Sequence, residues 1–367
     1  MGNEPTYICS GADRPGKVPE LPIEAILFNA PALLQGKASA KNANTIIKQN
    51  KIEQILLDSG GKQIFEVNTH KNKKRSRDVN KKERKKWRQY VPDGTMPLSV
   101  ANTLHLAPEH LAEAALKIDN VTIVMALDDP VMPSNNPEEQ RKNFYSKLQR
   151  NVDFARRAVE IRNEKFPHIK IFAPLQFQAL QDFEVLWQLI KSFEIDGISL
   201  PARCFKKASN LTPLLKRIIE IGITNVHFLG SSRLQIVALL SFLAKKNYFS
   251  HLGFDSSSWL MSAINGEIIM PYSLICKRIV DEGFADTTAK MVEIDSIYQK
   301  YNLFDFKMMS KSEQTQALIT LNFWAICQTK HELFNNADSP ESLCAFLETQ
   351  GVNQGETLKI FGLLNDL

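Results

Sequence analysis

The sequence predicts an α/β chain built as a (β/α)8 TIM-type barrel with a C-terminal helical extension, and three observations carry that expectation. Short aliphatic and β-branched runs recur along most of the chain, separated by stretches of helical periodicity, as parallel strands joined by crossover helices require. Four of those runs end in a carboxylate or an amide, and side chains that do chemistry collect at the C-terminal ends of barrel strands. Beyond about Gly266 the alternation gives way to helical patterning. A doubly wound open sheet produces the same alternation, but the chain has neither a GxGxxG loop nor a GxxxxGK loop followed by Ser or Thr.

Taken in order, the runs read as strands are residues 25–28, 54–57, 121–126, 169–173, 197–200, 226–229 and 251–254. That makes seven, and an eighth is not evident. The intervening amphipathic helices are 108–118, 138–165, 182–193, 213–221 and 234–246. The tail patterns as helices over 274–282, 287–301, 312–327 and 341–349. The expected organisation is a barrel over 1–270 that carries the site, with a basic insertion at 71–90. Residues 271–367 form a helical part that completes the barrel and adds a small C-terminal subdomain.

With 367 residues, 44% of them hydrophobic and 23% charged, the chain suits one large barrel with a small appendage and excludes a disordered protein. No apolar run approaches the roughly 20 residues that cross a bilayer, and the start lacks a basic-then-apolar secretory pattern. A cytoplasmic protein without a membrane partner is expected. Met1-Gly2-Asn3-Glu4-Pro5-Thr6 fits the loose pattern for N-myristoylation, which is short enough to arise by chance. Cys9, Cys204, Cys276, Cys327 and Cys344 form no close pair and read as structural thiols. Net charge is +5, yet residues 71–88 hold eleven Lys or Arg against Asp78 and Glu83, a local +9 that leaves −4 on the rest.

The strand ends are specific. The run 54–57 leads into Asp58-Ser59-Gly60-Gly61, the run 121–126 into Leu127-Asp128-Asp129, the run 169–173 through Leu175 to Gln176, and the run 251–254 into Asp255. One such ending marks no more than where a strand stops. Four on parallel strands would gather several carboxylates that need a cation, a proton or a base-like ligand to offset their repulsion.

With these residues in view, the chain resembles the tRNA-guanine transglycosylase superfamily, in order from about Lys51 to about Ile268. Leu57-Asp58-Ser59-Gly60-Gly61-Lys62-Gln63-Ile64-Phe65 is similar to that family's LDSGGFQVF signature, and Ile123-Val124-Met125-Ala126-Leu127-Asp128-Asp129 to its IVMAFDE. His105-Leu106-Ala107-Pro108-Glu109 resembles the segment in which Ser-Pro-Glu opens a helix. Leu175-Gln176 resembles VQG, Asp196-Gly197-Ile198-Ser199-Leu200 resembles DGYAIGG, and Phe228-Leu229-Gly230 resembles YLMGVG. Gly253-Phe254-Asp255 is similar to the GxDxFD run that carries the family's nucleophile.

Position by position, the resemblance implies Asp255 as nucleophile and Asp58 as general acid/base partner. It implies Asp128 and Gln176 as readers of a guanine edge, with Ser59, Gly60, Gly61 and Leu200 also at the base. It further implies a covalent glycosyl intermediate, no cofactor, and as ligands DNA or tRNA with free guanine or a 7-deazaguanine base. Gly60 and Gly61 let backbone approach a ligand, or form an ordinary turn.

Three departures bear on substrate. Phe304-Asp305-Phe306-Lys307-Met308-Met309 stands where the family usually has a CxCxxC and His zinc site, so no metal is expected. His331 near Cys327 does not make a four-ligand site. Lys62 occupies the place of the aromatic residue that stacks on the base, and Ser256-Ser257-Ser258-Trp259 replaces a Val-Leu-Pro-Thr-Arg type of run. With no recognisable C-terminal RNA-binding module, these favour slightly the zinc-less branch that inserts 7-deazaguanine derivatives into DNA.

Lys73, Lys74, Arg75, Arg77, Lys85, Lys86 and Arg88 are the expected phosphate contacts, or else form a solvated loop. Trp87 and Tyr90 stack on an extruded base or anchor that loop. Two other classes stay open. One is a non-catalytic nucleic-acid-binding partner subunit of a transglycosylase complex, which retention of Asp58 and Asp255 argues against. The other is a barrel glycosidase with a carboxylate pair. A protein partner or a homodimer is left open.

Overall fold

The computed structural model describes residues 3–12, 18–34, 38–60, 90–92, 104–131, 134–205, 211–278 and 309–367. Eight strands close into a barrel in the order β1-β10-β9-β8-β7-β6-β3-β2. They are β1 Thr6–Ser10, β2 Ala25–Asn29, β3 Gln54–Asp58, β6 Ile123–Met125, β7 Lys170–Pro174, β8 Gly197–Pro201, β9 Asn225–Leu229 and β10 His251–Ser256. Two short strands, β4 Tyr90–Pro92 and β5 Leu104–Leu106, pair with each other outside the barrel sheet. Closure removes the sheet edges, and with helices between the strands this is the (β/α)8 architecture expected from the sequence.

The eighth strand, not evident from the sequence, is Thr6-Tyr7-Ile8-Cys9-Ser10. It runs parallel to β10 with Ile8 opposite Asp255. The barrel is thus closed by an N-terminal strand and not by the tail. The expected strand over 121–126 shortens to Ile123–Met125, although the Thr122 N–H still donates to the Ile55 carbonyl and its carbonyl accepts from the Lys170 N–H, both at 2.9 Å. The Thr122 hydroxyl takes the N–H of Ile55 and also returns a bond to the Ile55 carbonyl, both at 3.0 Å.

The chain comprises two compact units, Met1–Glu24 with Gly230–Leu367, and Ala25–Leu229. The Ala25–Leu229 unit carries α1 Ala30–Leu34, α2 Ala40–Asn50, α3 Pro108–Ala115, α4 Pro137–Lys165, α5 Leu180–Ile190 and α6 Leu211–Glu220. The long α4 is capped as its sequence dictates. Asn136 accepts from the N–H groups of Glu138 and Glu139, Pro137 fills the first turn, and Arg162 and Lys165 face the negative end of the helix dipole. The other unit carries α7 Leu234–Lys245, α8 Ser258–Ile264, α9 Lys311–Asn335, α10 Pro340–Thr349 and α11 Gln354–Asn365. A reciprocal capping box of Ser310 and Glu313 starts α9. No described helix is long and apolar enough to cross a membrane.

One tail expectation is corrected. In place of a helix from 274, Cys276–Arg278 forms a strand, β12, antiparallel to β11 Glu267–Ile269. Tyr272 (φ 63°) and Leu274 (φ 52°) turn left-handed between the two strands, a conformation that no right-handed helix passes through. Residues 279–308, including the expected helix over 287–301, lie outside the described residues.

Side-chain direction in the Ala25–Leu229 unit follows from packing and register. Val124 and Ile171 line a cavity with Pro108 and Leu111 of α3 and Ala158 and Ile161 of α4, so they face the helices. By strand alternation Ile123, Met125 and Phe172 face the barrel interior. Register carries that face to Leu56 and hence Asp58 on β3, to Gly197 and Ser199 on β8, and to His227 on β9.

Gly197 holds a close approach on this inner face. A Cβ there would come within 2.8 Å of both the Phe172 ring and the Asn225 carbonyl, neither of which can swing aside in a packed barrel. Gly197→Ala is expected to destabilise the fold by about 1–3 kcal/mol, read as a lower denaturant midpoint at unchanged slope. Unchanged stability would contradict the packing described.

Candidate functional site

In the Ala25–Leu229 unit the first strand-end group is Asp58, half-buried on the inward face, which accepts from Asn29 Nδ2 at 3.4 Å. Asn29 is itself held, because its Oδ1 accepts from the Ala32 N–H at the start of α1. Past Asp58 the chain turns through buried Ser59 to Gly60, whose φ of 84° is costly for any residue with a Cβ. That requirement gives the first glycine of the Ser59-Gly60-Gly61 run a backbone reason; Gly61 lies outside the described residues.

Ser59 Oγ donates to Asp128 Oδ1 at 2.8 Å, and Gln176 Nε2 donates to Asp128 Oδ2. All three side chains are 3% exposed or less. Three strand ends, of β3, β6 and β7, thus meet through one buried carboxylate. Of the residues that the resemblance implies at the base, these three are joined by hydrogen bonds in the structure.

The neighbouring Asp129, equivalent in the sequence pattern, has a different part. Its carboxylate is fully buried and lies 2.7 Å from Lys147 Nζ on α4, with the Arg150 guanidinium against the same oxygen. Asn151 clasps its backbone on both sides, with the Asp129 N–H donating at 2.6 Å and Asn151 Nδ2 donating to the Asp129 carbonyl at 3.1 Å. Asp129 ties the β6 loop to α4, and so steers Asp128 to the other side.

In the other unit Asp255 lies on β10, buried, with Oδ1 accepting the N–H of Gly230 at 3.1 Å. Gly230 has φ 75°, which glycine adopts without strain, so the backbone amide is aimed at the carboxylate. Beneath it the Tyr7 ring packs on Phe254 and Phe323, and its hydroxyl donates to the Ser256 carbonyl at 3.1 Å. Burial raises the Tyr7 phenol above its ordinary range, and the negative charge of Asp255 adds to that, so the hydroxyl stays protonated. Ser256, Ser258 and Ser232 then link hydroxyl to hydroxyl at 2.8–2.9 Å. The Ser256-Ser257-Ser258 departure is therefore a neutral hydroxyl chain next to Asp255.

Leu200 is fully buried, and alternation turns its side chain to the face opposite Ser199, so it does not join the inward-facing set. Ser199 is the inward residue that sequence reasoning passed over. The signal was a hydroxyl in a strand buried at every position. Lys62, Lys73, Lys74, Arg75, Arg77, Lys85, Lys86, Trp87 and Arg88 lie outside the described residues, and Tyr90 is described only through its backbone in β4.

His331 is exposed, with Nδ1 3.2 Å from Glu4 Oε2. Burial pushes the nearby Cys327 thiol up to about 12, so at neutral pH it is in the protonated form. No three His, Cys, Asp or Glu side chains among the described residues are grouped as a metal ion would require. Compared with known proteins, the chain matches no family model and no curated protein.

Proposed function

We propose that this protein is a base-exchange transglycosylase, a pentosyltransferase that replaces guanine in nucleic acid by a 7-deazaguanine derivative. The observation that supports the reading best is the buried set of Asp128, Gln176 and Ser59 at three strand ends. Guanine offers donors at N1 and N2 beside the O6 acceptor. A carboxylate accepts from the first two, and an amide that both donates and accepts suits the rest of that edge.

In this reading a carboxylate oxygen of Asp255 attacks C1′ of the flipped nucleotide, and the bond from C1′ to the base nitrogen breaks. Asp58 hands a proton to the departing base. The incoming base then gives up its ring-nitrogen proton to the Asp58 carboxylate and attacks C1′ from the side that the first base left. The ester to Asp255 breaks, and two inversions give net retention. Gly230 supports the nucleophile's role, because its N–H fixes one carboxylate oxygen and leaves the orientation of the other defined. DNA is favoured over tRNA on the sequence departures at Lys62 and at Ser256-Ser257-Ser258.

The test is incubation of the purified protein with labelled guanine and, separately, duplex DNA, single-stranded DNA and bulk tRNA. Label retained in one polymer establishes exchange and identifies that polymer. Label retained in none, at protein concentrations that bind nucleic acid, rejects the enzyme reading in favour of a binding subunit.

A further inference from the structure

Ser199 is fully buried on β8, and its hydroxyl has no hydrogen-bond partner among the described residues. It faces the barrel interior in register with Pro174 on β7 and His227 on β9, and His227 is also fully buried. Its own backbone carbonyl accepts from the N–H of Leu175, the residue immediately before Gln176. Ser199 is therefore level with Pro174, two residues before Gln176, on the inward face of the strands that Asp58 also shares.

A buried hydroxyl without a partner opposes folding, and an apolar residue of the same size would relieve that cost. Every other position of β8 is Gly, Ile, Leu or Pro, as a strand covered on both faces demands. Such a group on the inward face of a barrel strand, level with the residues that lead to Gln176, is explained if it acquires its partner only when the site is filled.

We infer that Ser199 is a specificity-determining residue, whose hydroxyl donates to an acceptor atom on the inward edge of a bound purine base. The inference rests on the base-binding reading of the Asp128–Gln176 set and extends it downwards into the barrel. It means that the pocket tests the base on two edges, one read at the strand ends and one read from below. A base with no acceptor on the inward edge leaves the hydroxyl buried and unpaired, so it is rejected by more than the loss of one contact.

The experiment compares the unaltered full chain with Ser199→Ala, titrating free guanine by calorimetry and measuring thermal unfolding without ligand. Ser199→Ala should bind guanine about tenfold more weakly, while its melting temperature stays equal or rises. Guanine binding equal to that of the unaltered chain overturns the inference and leaves Ser199 as a buried hydroxyl satisfied by internal water. A fall in melting temperature also overturns it, because it makes the hydroxyl part of the fold. Failure of the unaltered chain itself to bind guanine sinks the base-pocket reading, and this inference with it.

Discussion

Asp255→Ala is expected to slow base exchange by about 10⁴-fold or more while free guanine binds within about threefold of the unaltered chain. Removing an enzymatic nucleophile costs rate on that scale because no neighbouring group can form the covalent intermediate; at 1.36 kcal/mol per factor of ten, 10⁴ is about 5.4 kcal/mol of transition-state stabilisation. The binding half of the expectation follows from the proposed roles, in which Ser59, Asp128 and Gln176 hold the base while Asp255 attacks the sugar carbon. Gly230 tolerates the loss, because an exposed backbone amide turns to water. A second readout checks the chemistry itself. With nucleic acid and no incoming base, the unaltered chain should form a protein–polymer adduct that survives denaturation, and Asp255→Ala should form none. Exchange by the variant within tenfold of normal would remove Asp255 from the reaction.

The fold was legible where chemistry is local. Seven strands announced themselves as aliphatic runs, and helices such as α4 and α9 as periodic stretches with capping residues at their starts. β1 was not, because Thr6 and Ser10 at its ends and Cys9 inside it look like neither an alternating nor a continuous apolar strand. Its identity depends on its pairing with β10, about 245 residues away. The hairpin of β11 and β12 was hidden for a different reason. Its left-handed residues are Tyr272 and Leu274, types that carry no turn signal.

At the candidate site, the residue types at the strand ends were readable and the resemblance singled out Asp128, but the residues alone did not separate it from the adjacent Asp129. Asp128 and Asp129 have the same chemistry, and a shift of one position exchanges their faces. What separates them is Lys147 and Arg150, one helical turn apart on α4 and 18 and 21 residues downstream. Ser199 was visible as an anomaly in an apolar strand, yet its direction became readable only once register fixed which face of β8 looks inward.

That division of labour between the two aspartates gives the second large expectation. Asp129→Ala should destabilise the fold by about 3 kcal/mol, the low end of the cost of breaking a buried ion pair, because its partners Lys147 and Arg150 keep side-chain exposures of 23% and 28% and recover some hydration. Asp128→Asn should cost the fold no more than about 1 kcal/mol. The amide keeps the shape, Gln176 can present its carbonyl to the new NH2, and the Ser59 hydroxyl can rotate between donor and acceptor. Its effect on guanine should be far larger, a loss of about 10²-fold or more in affinity, since an acceptor for N1–H and N2–H becomes a donor facing donors. Denaturant titration and calorimetry on the same two variants separate the readings. A structural carboxylate loses stability first and binding only through unfolding, whereas a ligand-reading carboxylate loses binding in a protein that still melts normally. If Asp128→Asn unfolded the chain while guanine binding per folded molecule was unchanged, the buried set at the ends of β3, β6 and β7 would be a structural clasp, and the base pocket would have to be sought elsewhere in the chain.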